Sequence, residues 1–137
     1  MSEQLIRTEP FENKADAILF STEVMERMRT DGFIAEPIRF GDITVDIINL
    51  IIEDDAMGKV YGNVRIIIKD GQMAVAADGN NWAPNAMTAV ARGLGLSEEE
   101  AIDLIESATM TETRRGYPIL IAVLPKSEES EPVYISN

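Results

Sequence analysis

The dipeptide Asp70-Gly71 separates two runs with apolar residues at alternate positions, and it constrains the fold more than any other feature. Asp-Gly accommodates the two positive φ angles of a type I′ turn, which joins antiparallel strands through a two-residue loop. The runs on either side, 60–69 and 72–77, have the composition of strands. The sequence therefore predicts a hairpin at this position, and with it an antiparallel sheet.

The stretch before this hairpin, residues 39–52, supports two interpretations. It is dense in β-branched side chains, which favours a strand. However, Asp46, Asn49 and Glu53 would share one face of a helix. We favour the strand, because residues 53–58 have the composition of a second hairpin loop. A strand here extends the hairpin to a three-stranded antiparallel meander, whereas a helix would leave the hairpin alone.

Apolar residues at helical spacing predict three helices. The first spans 15–30 and has Gly32 as its stop signal. The second starts near 82–85 and ends at Gly93 or Gly95. The third runs from Glu98 to about Thr109, with Ser97 and Glu100 forming a capping box. Its predicted inner side consists of Ala101, Ile102, Leu104, Ile105 and Ala108. An apolar run after Pro118 predicts a final buried strand ending at Leu124.

These elements together predict an α+β domain. We expect an antiparallel meander of about three to four strands, with an N-terminal helix and a two-helix pair packed on one face. The 137 residues fit one domain, which we assign to 14–125. Residues 1–13 are then an irregular lead-in. Residues 126–137 form an acidic tail that we expect to be mobile, although its Val-Tyr-Ile segment could add a strand to a partner sheet.

The chain has neither cysteine nor histidine, and this narrows its chemistry. Disulfides, thiol catalysis, imidazole general bases and Ser-His-Asp triads are excluded. A metal site would need oxygen ligands alone. The loops 53–55 and 78–81 offer such oxygens, but their composition is that of solvated turns. We therefore expect no catalytic residues, no metal and no cofactor, and a protein that is not an enzyme.

Neither a signal peptide nor an apolar run long enough to cross a bilayer is recognisable in the sequence. We therefore expect a cytoplasmic location and no contact with membranes. The adjacent pair Arg114-Arg115 allows two interpretations. It could bind a phosphate or carboxylate, or it could lie in a solvated loop beside Glu106 and Glu112.

The formal net charge of −12 indicates the kind of partner that suits this chain. Such a field repels phosphate backbones, so we expect no direct binding of nucleic acid, and it attracts basic protein surfaces. The same charge could serve solubility alone. The third helix is the best candidate for a partner-binding site. Its candidate residues are Glu98, Glu99, Asp103 and Glu106, together with Trp82, which could instead fill the core.

Three hypotheses for function follow. The first is a non-catalytic acidic binding protein, an inhibitor or adaptor, that docks a negatively charged face onto a basic protein surface. A virus-encoded inhibitor or a nucleic-acid mimic would suit this composition. The alternative is an oligomeric structural or assembly component, for example of a viral particle. The second alternative is an enzyme based on a carboxylate pair whose pKa values are split by burial.

Overall fold

The computed structural model describes residues 4–41, 44–54 and 58–124. In these ranges the strands form one antiparallel sheet with the order β1-β2-β3-β4-β6-β5. The predicted α+β class, with an N-terminal helix and two further helices beside an antiparallel sheet, is confirmed. The elements in chain order are α1 (Lys14–Thr30), β1 (Ile34–Phe40), β2 (Thr44–Asp54), β3 (Gly58–Lys69), β4 (Gln72–Asp78), α2 (Ala83–Gly93), α3 (Glu98–Ser107), β5 (Thr109–Glu112) and β6 (Pro118–Val123).

The hairpin predicted at Asp70-Gly71 joins β3 to β4. Lys69 and Gln72 are the last pair of the ladder, so the loop between them has two residues. Asp70 has a φ of 53° and Gly71 a φ of 76°, the left-handed pair that a type I′ turn requires. Aspartate tolerates this region better than most side chains, and glycine enters it without steric cost.

Within the ambiguous stretch, residues 44–52 belong to β2 and residues 39–40 end β1, so the strand interpretation is confirmed there and the helical alternative is wrong, while residues 42–43 lie outside the described ranges. β2 pairs with β1 on one side and with β3 on the other, and both pairings are antiparallel. Two neighbouring strands satisfy its backbone groups along most of its length, whereas a helix would bury too few of its β-branched side chains. Of the loop predicted at 53–58, residues 55–57 lie outside the described ranges.

The three helices begin and end close to the predicted positions. Asn13 caps α1, since its side-chain oxygen accepts from the backbone N–H of Asp16 at 2.9 Å. Pro84 lies in the first turn of α2, where its missing N–H costs nothing. After Thr30 the chain leaves α1 through Gly32, whose φ is 93°.

The core lies between one face of the sheet and the helices. Buried residues alternate along the strands, and one cross-strand row joins Val45, Ile66, Val75 and Ala122. The fully buried Met87 of α2 belongs to the same cluster. α2 packs on the central strands, α1 on β1 and α2, and α3 on β6 and α2. The opposite face of the sheet, which carries Asn63, Arg65 and Lys69, has no described helix over it.

α1 and α2 touch closely at Gly93. A Cβ atom at this position would lie 2.6 Å from Cγ of Met28 and 3.0 Å from the backbone oxygen of Val24. Only glycine lets the two helices approach to this distance.

Two strands of the sheet, β1 and β5, were not predicted from the sequence. β1 contains Pro37 and pairs with β2 through two register shifts, which are features of an edge strand. β5 is the other edge of the described sheet, and all four of its residues are exposed. The sheet thus has more strands than the three to four expected, and the predicted meander forms its β2-β3-β4 part.

Candidate functional site

The capping box positions the start of α3. Oγ of Ser97 accepts from the backbone N–H of Glu100 at 3.1 Å, and Oε1 of Glu100 accepts from the N–H of Ser97 at 2.8 Å. Nε2 of Gln4 also donates to Glu100 at 3.3 Å. The Ser97 N–H bond lowers the pKa of Glu100, and the bonds from the Ser97 and Gln4 side chains act in the same direction against partial desolvation. Glu100 is therefore engaged in holding the helix start.

The other four carboxylates of the helix form what we call the α3 acidic face, which consists of Glu98, Glu99, Asp103 and Glu106. All four side chains are exposed, and none makes a hydrogen bond or an ion pair with any residue of the described ranges. Ala101 and Leu104, on the opposite side of α3, are buried in the core. The structure thus brings the four acidic candidate residues together on one solvent-facing surface.

Ile102 lies within this face, so its predicted place on the inner side of α3 is wrong. Its side chain is 52% exposed. Positions three and four residues apart are neighbours on a helix surface, so Glu98, Glu99 and Glu106 surround Ile102. The sequence interpretation assigned Ile102 by its hydrophobicity, although the narrow buried stripe of α3 passes through Ala101 and Leu104, one or two positions away.

The negative charge of this face is not neutralised locally. Residues 93–113 hold six carboxylates and no lysine or arginine. Acidic residues elsewhere do find cations: Asp16 pairs with Arg7 at 3.1 Å, and Glu23 pairs with Arg27 at 3.5 Å. Half of the net charge is therefore concentrated around α3, while the acidic residues of α1 are interleaved with cations.

The α3 acidic face also carries an electrostatic cost for the fold. Glu99 and Asp103 are four residues apart, and Asp103 and Glu106 are three apart, which are spacings at which like charges repel. Glu106 stands in the last turn, where the helix dipole disfavours an anion, and this turn contains no basic residue. Glu98 and Glu99 stand in the first turn, where the helix dipole favours an anion, so only Asp103 and Glu106 are not explained by the stability of the helix.

Trp82, the remaining candidate residue, is the N-cap of α2 and is partly buried against the core. Its backbone N–H donates to Oδ1 of Asn80 at 2.9 Å. The turn before it approaches β5, because a Cβ atom at Gly79 would lie 2.9 Å from the sulfur of Met110. This packing agrees with a structural role for the indole, and its participation in partner binding stays a prediction.

The other candidate sites remain simple turns. In the 78–81 turn, Asn63 donates to Asp78 at 3.2 Å, and the backbone N–H of Asn80 donates to the oxygen of Asp78. Arg114 and Arg115 are exposed in the turn between β5 and β6, and neither pairs with Glu106 or Glu112. Across 4–41, 44–54 and 58–124, no three acidic side chains are arranged to hold a metal ion.

Comparison with known proteins found no match among protein-family models, curated proteins or solved structures. Within the described part of the chain, no helix combines the length and the apolar character needed to cross a bilayer.

Proposed function

We propose that this chain is a non-catalytic acidic binding protein, an inhibitor or adaptor, that docks the α3 acidic face onto a basic protein surface. The observation that carries this proposal is an exposed isoleucine with Glu98, Glu99 and Glu106 around it, carboxylates that pair with no cation of the described ranges. An apolar centre with a charged rim is the usual anatomy of a protein interface.

The two parts of the face would have different roles in binding. The carboxylates steer a cationic partner and raise the rate of encounter, because their field extends about a Debye length, roughly 8 Å at physiological ionic strength. Ile102 supplies apolar area that a partner can remove from water, which slows dissociation. Neither role requires a bound cofactor or a reacting group.

The partner class follows from the same chemistry. Neighbouring carboxylates on a helix lie about 5–6 Å apart, so a surface of arginine or lysine side chains at comparable spacing would match them. Surfaces that bind nucleic acid have this character. An inhibitor of a nucleic-acid-binding protein, including one encoded by a virus, is the most specific form of this proposal.

Charge reversal tests the location of the site. We expect the triple variant Glu99→Lys, Asp103→Lys, Glu106→Lys to lose partner proteins that the unchanged chain retains from a lysate of its native host. The matched control is Glu9→Lys, Glu12→Lys, Glu26→Lys, which changes the net charge equally at exposed positions outside α3. Proteins that are lost with the α3 variant and retained with the control would be identified by mass spectrometry.

Salt dependence and an apolar substitution then test the mechanism with the purified partner. The dissociation constant should rise steeply with sodium chloride, because exposed charges are screened. Ile102→Ser should accelerate dissociation and leave the salt slope unchanged. Binding that holds at high salt, or that survives the α3 charge reversal, would contradict the proposal.

A further inference from the structure

The two edges of the described sheet differ in how they are protected against pairing with another strand. β1 contains Pro37 and two register shifts, both of which discourage a further strand from adding to an edge. β5 contains no proline or lysine, pairs with β6 in an unbroken register, and exposes all four of its residues. Only its short length and the charge of Glu112 oppose the addition of a strand. The β5 edge is therefore the more open of the two.

Two observations show which residues of β5 bond to β6. The backbone N–H of Thr113 donates to the oxygen of Tyr117 at 2.9 Å just beyond the strand, so this pair is hydrogen-bonded. Glu112 lies opposite Pro118, which has no N–H, so the neighbouring pair is of the non-bonded kind. Bonded and non-bonded pairs alternate along an antiparallel ladder. The odd-numbered residues of β5 therefore bond to β6, and the even-numbered ones do not.

The even-numbered residues, Met110 and Glu112, direct their N–H and C=O groups outward from the sheet. Neither N–H donates to a backbone oxygen of the described ranges. The side chain of Met110 is 58% exposed, so the outer side of the edge is accessible. These backbone groups form a template on which another strand can make main-chain hydrogen bonds.

The two ends of β5 carry opposite charges. Glu106 stands three residues before the strand, in the last turn of α3, which contains no basic residue. Arg114 and Arg115 follow the strand in an exposed turn, and neither makes an ion pair with a described residue. A strand of the same sequence that runs antiparallel to β5 places its arginines beside the acidic end. Its own acidic end then lies beside the arginines of the first strand.

We propose that β5 pairs with β5 of a second copy about a two-fold axis, so that the two sheets join edge to edge. Only outward-pointing groups can bond, so Met110 of one copy pairs with Glu112 of the other. Thr111 then lies on the axis, opposite Thr111 of the second copy. This register uses both outward residues of each strand, and cross-strand pairs of threonine are favourable.

The same register brings the charged ends together. Ser107 of one copy lies opposite Arg115 of the other, so Glu106 and the last carbonyl groups of α3 meet the two arginines. A cation is favourable at the C-terminus of a helix, and the last turn of α3 has none of its own. The pairing therefore supplies a cation to an anion that stands unneutralised within one chain.

A second copy suits this edge better than a basic partner does. Arg114 and Arg115 would repel the cations of a basic surface at one end of β5. The strand is short, and two chains that each carry a net charge of −12 repel one another at long range. We therefore expect a weak dimer, at the low end of the size range of specific interfaces.

The first experiment uses the full chain and its lack of cysteine. Thr111→Cys places two thiols opposite each other in a non-bonded pair, where the Cα atoms lie about 4.5 Å apart and a disulfide can form. We expect mild oxidation to convert most of this variant to a covalent dimer. Thr22→Cys, at an exposed position of α1, is the matched control and should stay monomeric. Equal cross-linking of the two variants would overturn the proposal.

The register is tested with two different single variants. Thr109 lies opposite Thr113 of the other copy, and both residues are exposed. A mixture of Thr109→Cys with Thr113→Cys should therefore cross-link to a heterodimer faster than either variant cross-links with itself. Equal rates for all three products would overturn the pairing.

A proline substitution tests the edge without a covalent bond. Met110→Pro removes one outward N–H and no bond to β6, and proline is tolerated on an edge strand where its nitrogen faces solvent. Sedimentation equilibrium of the unchanged chain from about 10 µM to about 1 mM should show an average mass that rises toward two chains. Met110→Pro should stay at the mass of one chain, and Met110→Leu should behave as the unchanged chain. An unchanged chain that stays monomeric, or a dimer of Met110→Pro, would overturn the proposal.

A charge exchange tests the ends of the strand. Arg115→Glu and Glu106→Lys should each weaken self-association several-fold, and the double variant should restore it. Lys14→Glu, the same charge change as Arg115→Glu but on α1, should leave it unchanged. A double variant that associates no better than the single ones would overturn the contact between the ends.

Amide exchange distinguishes a second copy from a cover supplied by the same chain. The N–H groups of Met110 and Glu112 should exchange rapidly at the lowest concentration and become protected as the concentration rises. Protection that is already complete at the lowest concentration would overturn the proposal. Met110→Pro leaves every carboxylate of the α3 acidic face in place, so self-association and partner binding can each fail without the other.

Discussion

The substitution Asp103→Lys should stabilise the fold while it weakens partner binding. In the native chain Asp103 faces Glu99 at a spacing of four residues and Glu106 at a spacing of three, and each such like-charge pair costs about 0.2–0.5 kcal/mol. Lysine converts both repulsions into attractions of similar size, so the two pairs together change by about 0.8–2 kcal/mol. Lysine is also a better helix former than aspartate, by a few tenths of a kcal/mol.

Screening reduces this gain, because the side chains are exposed. At physiological salt we expect the free energy of unfolding to rise by about 1 kcal/mol. For a chain of this length that corresponds to an increase in Tm of about 3–5 °C. The assay is chemical denaturation followed by the fluorescence of Trp82, repeated at 1 M sodium chloride, where the Debye length falls to about 3 Å and most of the gain should disappear.

The control for this prediction is Glu23→Lys on α1. Glu23 attracts Arg27, with which it pairs at 3.5 Å, but repels Glu26 three positions on, so the same change of charge should leave stability nearly unchanged. The reasoning would be refuted if Asp103→Lys left the free energy of unfolding unchanged or lowered it. A gain that persisted undiminished at 1 M salt would also refute it, because the cause would then not be the relief of charge repulsion.

Three further predictions concern the helix start, the helix contact and the hairpin. The pKa of Glu100 is lower in the folded chain than in the unfolded chain, so its carboxylate contributes stability above the unfolded pKa, and this contribution is lost as the pH falls through the folded pKa. Glu100→Gln should therefore reduce the loss of stability at acid pH, which denaturation at a series of pH values would detect. Gly93→Ala should destabilise the domain by about 1–3 kcal/mol, because its Cβ would overlap Met28; an unchanged urea midpoint would contradict the contact. Gly71→Ala should cost about 1–2 kcal/mol through its left-handed backbone alone, since nothing lies within 4 Å of the added methyl group, and equilibrium urea unfolding measures this.

Local chemistry made part of this fold predictable. The Asp70-Gly71 turn and the Ser97–Glu100 capping box are each specified by residues within four positions of one another, and both were predicted from the sequence. β1 was not predicted, because Pro37 and two register shifts remove the alternation that identifies a strand. β5 was not predicted either: it is short and wholly exposed, so its position depends on pairing with β6 rather than on its own composition.

The candidate site shows the same division between local and long-range information. The sequence placed four carboxylates on the outer side of α3, because their spacing is a property of the helix itself. The sequence analysis placed Ile102 in the core, because hydrophobicity alone does not reveal how wide a part of the α3 surface is buried.

The short connection between α2 and α3 has a consequence for how the acidic face meets a partner. Only residues 94–97 separate the two helices, and within them Leu94 and Leu96 are buried while Ser97 is fixed by the capping box. The face is therefore preorganised, and its backbone has little entropy left to lose when a complex forms. Its amide exchange rates should stay nearly the same in the free and bound protein, and any ordering on association would have to come from the other molecule.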